Sequence, residues 1–497
     1  MKSRLPFATT GCCGPSRRTF LADAGMGFTG LALGALLARD GISATTLPNG
    51  TWAPPDGKPH FAPKAKRVIW IFMLGGVSHI ESFDPKPAVT RYGGKTIAET
   101  PYKDVLTAGF VKENVQALEA GNTRHLRMNL FPLQIGHRKR GQSGIEVSDW
   151  WPHVGECVDD LSVIRSMWTT DNDHGAILQF HTGRHIFDGY LPTVGSWVHY
   201  GLGSLNENLP QFVVLGEPPG DCCGGVGAHG AGYLGPENAG VPIEVDPDNP
   251  LPFASPGPDV YRTEQKREFE FLKKLNRLAG VEYPDDPKMR ARIKSYELAF
   301  RMQTAVPDAM RLAEESEETE RLYGLDHEIT RPFGEVCLAA RRLAERDVRF
   351  VQVYHGTSSN RWDAHSALKK SYNDLCAKVD KPIAGLLKDL KQRGMLDDTL
   401  VVWATEFGRT PGAEGSTGRD HHPYAFSIWM AGGGVKGGHV HGATDELGFH
   451  AVENRHYVTD AHATVMRLLG LDPRRLEIPG RKRLDIDFGH PITDIMV

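Results

Sequence analysis

The chain has 497 residues, 40% hydrophobic and 24% charged, with a formal net charge of −4. That length allows two domains or one large α/β domain with insertions. The charge balance shows neither the basic excess of a nucleic-acid binder nor an acidic tail, so no nucleic-acid partner is expected.

In chain order, Ser16-Arg17-Arg18-Thr19-Phe20-Leu21 opens a twin-arginine signal, and the mild apolar stretch LADAGMGFTGLALGALLA follows it. That run is too short, too rich in glycine and too interrupted by Asp23 for a stable transmembrane anchor. Residues 1–45 are therefore expected to be a targeting segment read by the twin-arginine export machinery, which places the mature protein in the periplasm or outside the cell. Cys12 and Cys13 would leave with it, and the five remaining cysteines include no CxxC pair. A scattered, odd set in so long a chain is no disulfide scaffold. The Cys222-Cys223 pair reads as a buried or strained feature of a Gly-rich loop.

A Pro-rich linker (46–66) leads into the main domain, 67–497, where apolar runs recur. They are RVIWIFML (67–74), LSVIRSM (161–167), QFVVL (211–215), VRFVQVY (348–354), TLVVWA (399–404) and AFSIWMA (425–431). Continuous rather than alternating apolar strands belong to a parallel sheet covered on both faces. Between two of them, Leu375, Val379, Ile383, Leu386 and Leu390 recur at helical spacing, Pro382 is expected to kink that helix, and Gly394 supplies its stop. This strand, helix, strand order predicts a mostly parallel α/β sheet with helices on both faces. The charged stretch of about 263–346 reads as a helical insertion, and the Gly/Pro-rich residues 217–257 as a long ordered loop bordering a cleft.

In such a sheet ligands bind beyond the carboxyl ends of the strands. The first strand is followed by GGVSHIESFDP, with Ser78, His79, Glu81 and Asp84, and the second by WTTDNDHGAILQFHTGRH, with Asp171, Asp173 and His174. Further on stand His355, Asp363 and His365, then Glu406 in TEFGRTP, then Asp420, His421 and His422. A lone loop histidine is usually a hydrogen-bonding group, but polar loops converging at one sheet edge suggest a metal site. Imidazole with carboxylate suits Zn2+ best, with Mn2+ or Fe competing, whereas carboxylates alone would favour Ca2+ or Mg2+. Asp363 and His365, two apart, can project to one side and meet one ion, the reading preferred over Asp363 merely orienting His365 by a hydrogen bond with no ion present. A helix beginning at His174 would aim its positive dipole end at an anion, unless Asp173 simply caps it.

GGVSHIESFDPKP, DHGAILQFHTGRH, WDAH, EFGRTP and RDHHPYAFSIWMAGGGVKGG together resemble the exported proteins catalogued as domain of unknown function 1501, a branch similar to the alkaline phosphatase and sulfatase superfamily. The resemblance covers nearly the whole chain after the signal and implies an ester hydrolase with one or two metals. Asp363, His365 and His421 or His422 would surround one ion, with His421 preferred, and Glu406 and His79 stand as further candidate ligands. There are departures from the superfamily pattern. Gly75-Gly76-Val77-Ser78 stands where a ligand Asp is expected, Glu406-Phe407 where an Asp-His pair is expected, and Asp173 at the nucleophile position.

The resemblance therefore implies a metal-dependent hydrolase of phosphate or sulfate esters, small or polymeric. Asp173, His174, Ser78 and Arg184 are its catalytic candidates, and Arg184 or Arg409 would neutralise the departing oxyanion. The alternative is a binding protein that keeps the fold without catalysis, recognising a sulfated polysaccharide.

Overall fold

The computed structural model describes residues 55–107, 127–246, 248–251, 261–282, 287–356 and 362–497. The twin-arginine segment and most of the Pro-rich linker lie outside the described residues. Residues 55–497 form one compact unit.

Nine strands make the central sheet: β1 (Arg67–Met73), β2 (Leu161–Trp168), β3 (Phe212–Leu215), β4 (Val241–Pro242), β5 (Phe350–His355), β6 (Thr399–Thr405), β7 (Phe426–Ala431), β8 (His439–His441) and β9 (His456–Tyr457). Their spatial order is β8-β2-β7-β6-β1-β5-β3-β4, with β9 also paired to β2. All pairings are parallel except those of β7, which runs antiparallel to both β2 and β6. The sheet is thus mostly parallel and the fold α/β, as the apolar runs predict.

The continuous apolar strands are explained by two cores, one on each face. Ile69, Ile71 and Met73 of β1 point into a core with α6 (Arg331–Glu345) and α7 (Leu368–Gln392). Val68, Trp70 and Phe72 point the other way, against α1 (Ala176–Thr182), α2 (Val194–Leu202) and α8 (Val458–Leu468). Helix α7 is a single element of 25 residues that continues through Pro382. The charged stretch before it is helical, with α3 (Arg262–Glu282), α4 (Pro287–Ala309) and α5 (Glu317–Tyr323). Its last helix, α6, packs into the main core, with Cys337 through Ala344 buried. Cys222 and Cys223 are joined as a vicinal disulfide, whereas Cys157, Cys337 and Cys376 are free and buried.

Register decides which loops meet. In β1, Met73 is paired with His355 of β5 and with Thr405 of β6, so three strands end side by side at one edge. The reversed strand β7 begins there instead of ending there, since Phe426 lies opposite Met167 near the end of β2. Its alignment is fixed by the cross-strand pair Trp403 and Trp429, whose rings stack at 6.1 Å and 4°. Residues just before β7 therefore share an edge with residues just after β1, β2, β5 and β6. Among the described residues no helix is long and apolar enough to cross a membrane.

Candidate functional site

Asp363 is the hub of that edge. It stands eight residues beyond the end of β5, and its Oδ1 lies 2.9 Å from His365 Nε2, 3.0 Å from His421 Nε2 and 2.6 Å from Arg409 Nη2. Its Oδ2 lies 3.1 Å from His174 Nε2. The Nε2 atoms of His365 and His421 are 3.1 Å apart. Two groups of ligand atoms close enough for one ion result: His174, Asp363 and His421, and His365, Asp420 and His421.

The remaining ring nitrogens are each held by a neighbour. His421 Nδ1 faces the carbonyl of Asn172 at 2.7 Å, an acceptor only, so Nδ1 carries the proton. His365 Nδ1 is bonded to the Glu414 carboxylate, and His174 Nδ1 lies 3.1 Å from Glu406 Oε1. Glu406, fully buried, also accepts the Gly75 N–H at 2.8 Å. Gly75, where the superfamily pattern expects an aspartate, thus orients Glu406 through its backbone.

Electrostatics follow from this crowding. Burial pushes the Asp363 pKa up, but its polar contacts with His174, His365 and His421 and the charge of Arg409 outweigh it and hold the carboxyl well below its usual range. Burial alone would lower the His174 pKa, yet its bonds to Asp363 and Glu406 raise it to about 9. The bond to Asp363 raises that of His365, whereas burial lowers that of His421.

The other sequence candidates stand elsewhere. Ser78 is fully buried and donates to Glu81 Oε2 at 2.5 Å. Asp173 is exposed, and its Oδ1 accepts the His174 N–H at 2.7 Å. Helix α1 begins at Ala176 rather than His174 and has only seven residues. His79 Nε2 faces the Gly448 carbonyl at 2.7 Å and His422 Nε2 that of Phe449 at 2.5 Å. These two rings stack on each other at 6.3 Å, and neither belongs to the ligand groups. Arg184 lies at the far end of α1, paired with Asp487 at 2.5 Å. Of the two arginine candidates, only Arg409 reaches the cluster.

Sequence reasoning overlooked Glu414 and Arg127. Glu414 sits in the Gly-rich loop AEGSTG, which has no periodicity, and only its position between Glu406 and His421 hinted at it. Arg127 Nη2 bonds Glu414 Oε1 at 2.5 Å and its Nε bonds Asp420 Oδ2 at 2.7 Å, tying both carboxylates to the rim.

Among solved structures the chain is similar to a protein in the alkaline phosphatase superfamily from Vibrio parahaemolyticus, with 9% identity over 83% of this chain and 68% of that one and a TM-score of 0.35. It is also similar to the lipoteichoic acid synthase LtaP from Listeria monocytogenes, with 10% identity, coverage of 88% and 80% and a TM-score of 0.32. A third is the PsFucS1 sulfatase from Pseudoalteromonas sp., with 12% identity, coverage of 82% and 68% and a TM-score of 0.32. No curated protein matches the chain. A family model described as "Protein of unknown function (DUF1501)" matches residues 65–496, and the chain belongs to that family.

Proposed function

We propose that the protein is a hydrolase of phosphate or sulfate esters that works with a bound divalent cation, Zn2+ favoured. One observation carries the reading: the Nε2 atoms of His365 and His421 converge on one another and on Asp363 Oδ1 while their Nδ1 atoms are engaged elsewhere. With Nδ1 protonated, both Nε2 atoms of the neutral rings present lone pairs. Three such acceptors repel one another unless a proton or a cation lies among them. Bonds of 2.0–2.1 Å to a tetrahedral Zn2+ would set neighbouring donors about 3.3 Å apart, and the separations of 2.9–3.1 Å come close to that.

Asp363, His365 and His421 would hold the ion, with His174 and Asp420 in reach of it. When bound, such a cation supplies Lewis-acid polarisation of the ester oxygen. The chain's own residues do the rest. Glu406 holds the proton on His174 Nδ1, so His174 Nε2 is the atom that exchanges its proton. Arg409, fully buried and bonded to the Gly76 carbonyl at 2.8 Å, fixes the Asp363 carboxylate and adds positive charge beside the site. With Ser78 and Asp173 engaged elsewhere, we assign the attack to water rather than to a covalent nucleophile. The twin-arginine pattern supports export by that machinery and work outside the cytoplasm. The substrate would be a small or polymeric ester, and the net charge of −4 argues against a nucleic-acid partner.

Elemental analysis of the purified protein, followed by assays on phosphate and sulfate monoesters and diesters before and after chelation, tests the reading. A bound cation and turnover that is lost on chelation and restored by Zn2+ are expected. Turnover that persists unchanged in metal-free protein rejects it, and a cation without turnover on any ester favours a binding protein instead.

A further inference from the structure

A separate cavity of about 430 Å3 opens at the far end of α1, among α2, α8 and the C-terminal loop. It falls within the ~300–1,000 Å3 range of small-molecule sites. Four cationic side chains line it, Arg184, Arg481, Lys482 and Arg483, against two carboxylates, Asp188 and Asp487. Both carboxylates are already engaged by Arg184, at 3.5 and 2.5 Å.

Arg483 is held in another way. Its guanidinium carbon lies 4.2 Å from the ring centre of Trp197 and 4.5 Å from that of Phe488, and it donates to the carbonyls of Pro473 at 2.8 Å and Asp487 at 3.0 Å. Stacking and carbonyls fix the group without neutralising it, so the wall is rigid and positive. Arg481 lies over Tyr233 at 5.3 Å, and Arg481 and Lys482 are exposed at the mouth. The surplus positive charge calls for an anionic ligand.

We propose that this cavity binds a sugar bearing a sulfate or phosphate monoester, with Arg481 and Lys482 taking the ester oxyanion and the aromatic wall taking the ring. Guanidinium groups already stack on the aromatic wall, Arg483 on Trp197, Arg483 and Arg474 on Phe488, and Arg481 on Tyr233, which leaves ring edges and the phenols of Tyr190 and Tyr233 rather than a slot for a planar base. A polyhydroxylated ring with a charged substituent fits that lining, because hydroxyl partners and an oxyanion clamp are both present. The cavity shares no lining residue with the Asp363 cluster.

Calorimetric titration of the chelated full-length protein with galactose 6-sulfate, glucose 6-phosphate, galactose and inorganic sulfate tests this separately from the hydrolase reading. Saturable binding of at least one ester, with a tryptophan fluorescence change that is absent in Trp197→Phe, is expected. The exposed double variant Arg481→Ala/Lys482→Ala should keep its unfolding midpoint and weaken that binding about tenfold or more, the loss of roughly one charge-assisted contact. The proposal is overturned if neither ester binds, if the double variant binds as well as the parent, or if galactose binds as tightly as its ester. Inorganic sulfate binding as tightly as the ester would also overturn it, by reducing the cavity to a simple anion site.

Discussion

Ser78 and Glu81 show how the burial of one residue reassigns its role. Glu81 and Arg419 form an ion pair at 2.7 Å with both side chains fully buried, and Arg419 also donates to the carbonyls of Thr410, Pro411 and Phe131. Removing the carboxylate would strand a guanidinium among carbonyls that cannot neutralise it. Glu81→Ala is therefore expected to cost about 3–5 kcal/mol, read as a lowered urea midpoint. Ser78→Ala removes only a hydrogen bond to that pair, about 1 kcal/mol, and is expected to leave cation content and turnover intact. If Ser78→Ala abolished turnover while the protein stayed folded, Ser78 would regain the nucleophile's role and water would lose it.

At the scale of elements, the loops that carry the Asp363 cluster are zipped to one another. The two-residue strands Gly408–Arg409 and His421–His422 pair antiparallel, which puts Arg409 beside His421. The loop between them meets the segment after β5 through Arg419 N–H to the Ala364 carbonyl at 3.0 Å and Leu368 N–H to the Thr417 carbonyl at 2.9 Å. Gly418 is required here because a Cβ would lie 2.0 Å from the carbonyl oxygen of His365. Gly418→Ala is expected to push the loop carrying His365 away from His421 and weaken cation affinity by about 10–100-fold, the range for displaced ligand supports. Competition with a chelator of known affinity measures it, and an unchanged affinity would show that the loops are not coupled. The six apolar runs were legible as strands because double-sided burial demands them, and RVIWIFML lies almost wholly within β1. The reversal of β7 was not legible, since an apolar run carries no mark of its direction. Strands β8 and β9 escaped because His439–His441 and His456–Tyr457 are short and polar, and β4 because Val241–Pro242 is two residues long and lies within the stretch 217–257 read as a loop. In the cluster, Asp363, His365 and His421 could be read from their loops. The separation of His421 from His422, and of Arg409 from Arg184, depended on side-chain direction and helix length, which spacing alone does not encode.

Across the whole molecule, histidines that the site does not use are buried (His181, His229, His462) or half-buried (His199, His355), and these govern how the fold responds to acid. Burial lowers the pKa of His181 and His355 to about 3 and of His199, His229 and His462 to about 4. Their rings are neutral in the native protein and accept protons near pH 6.5 once unfolded. The unfolded chain thus binds more protons at any pH between those values. The stability these residues contribute is fully present above about pH 6.5 and is lost as the pH falls through 6.5 toward 4 and then 3. Each can remove about 1.4 kcal/mol per pH unit in that window. Several acting together would consume much of a typical ~5–15 kcal/mol within about two units. The urea midpoint of metal-free protein is therefore expected to fall steeply between pH 6.5 and 5. His462→Gln, whose neutral amide can still donate to the Phe180 carbonyl now faced by His462 Nε2 at 2.6 Å, should flatten that slope by about one proton. A midpoint constant over this range would show that these rings are charged or solvated in the native state, which is incompatible with the burial of His181, His229 and His462.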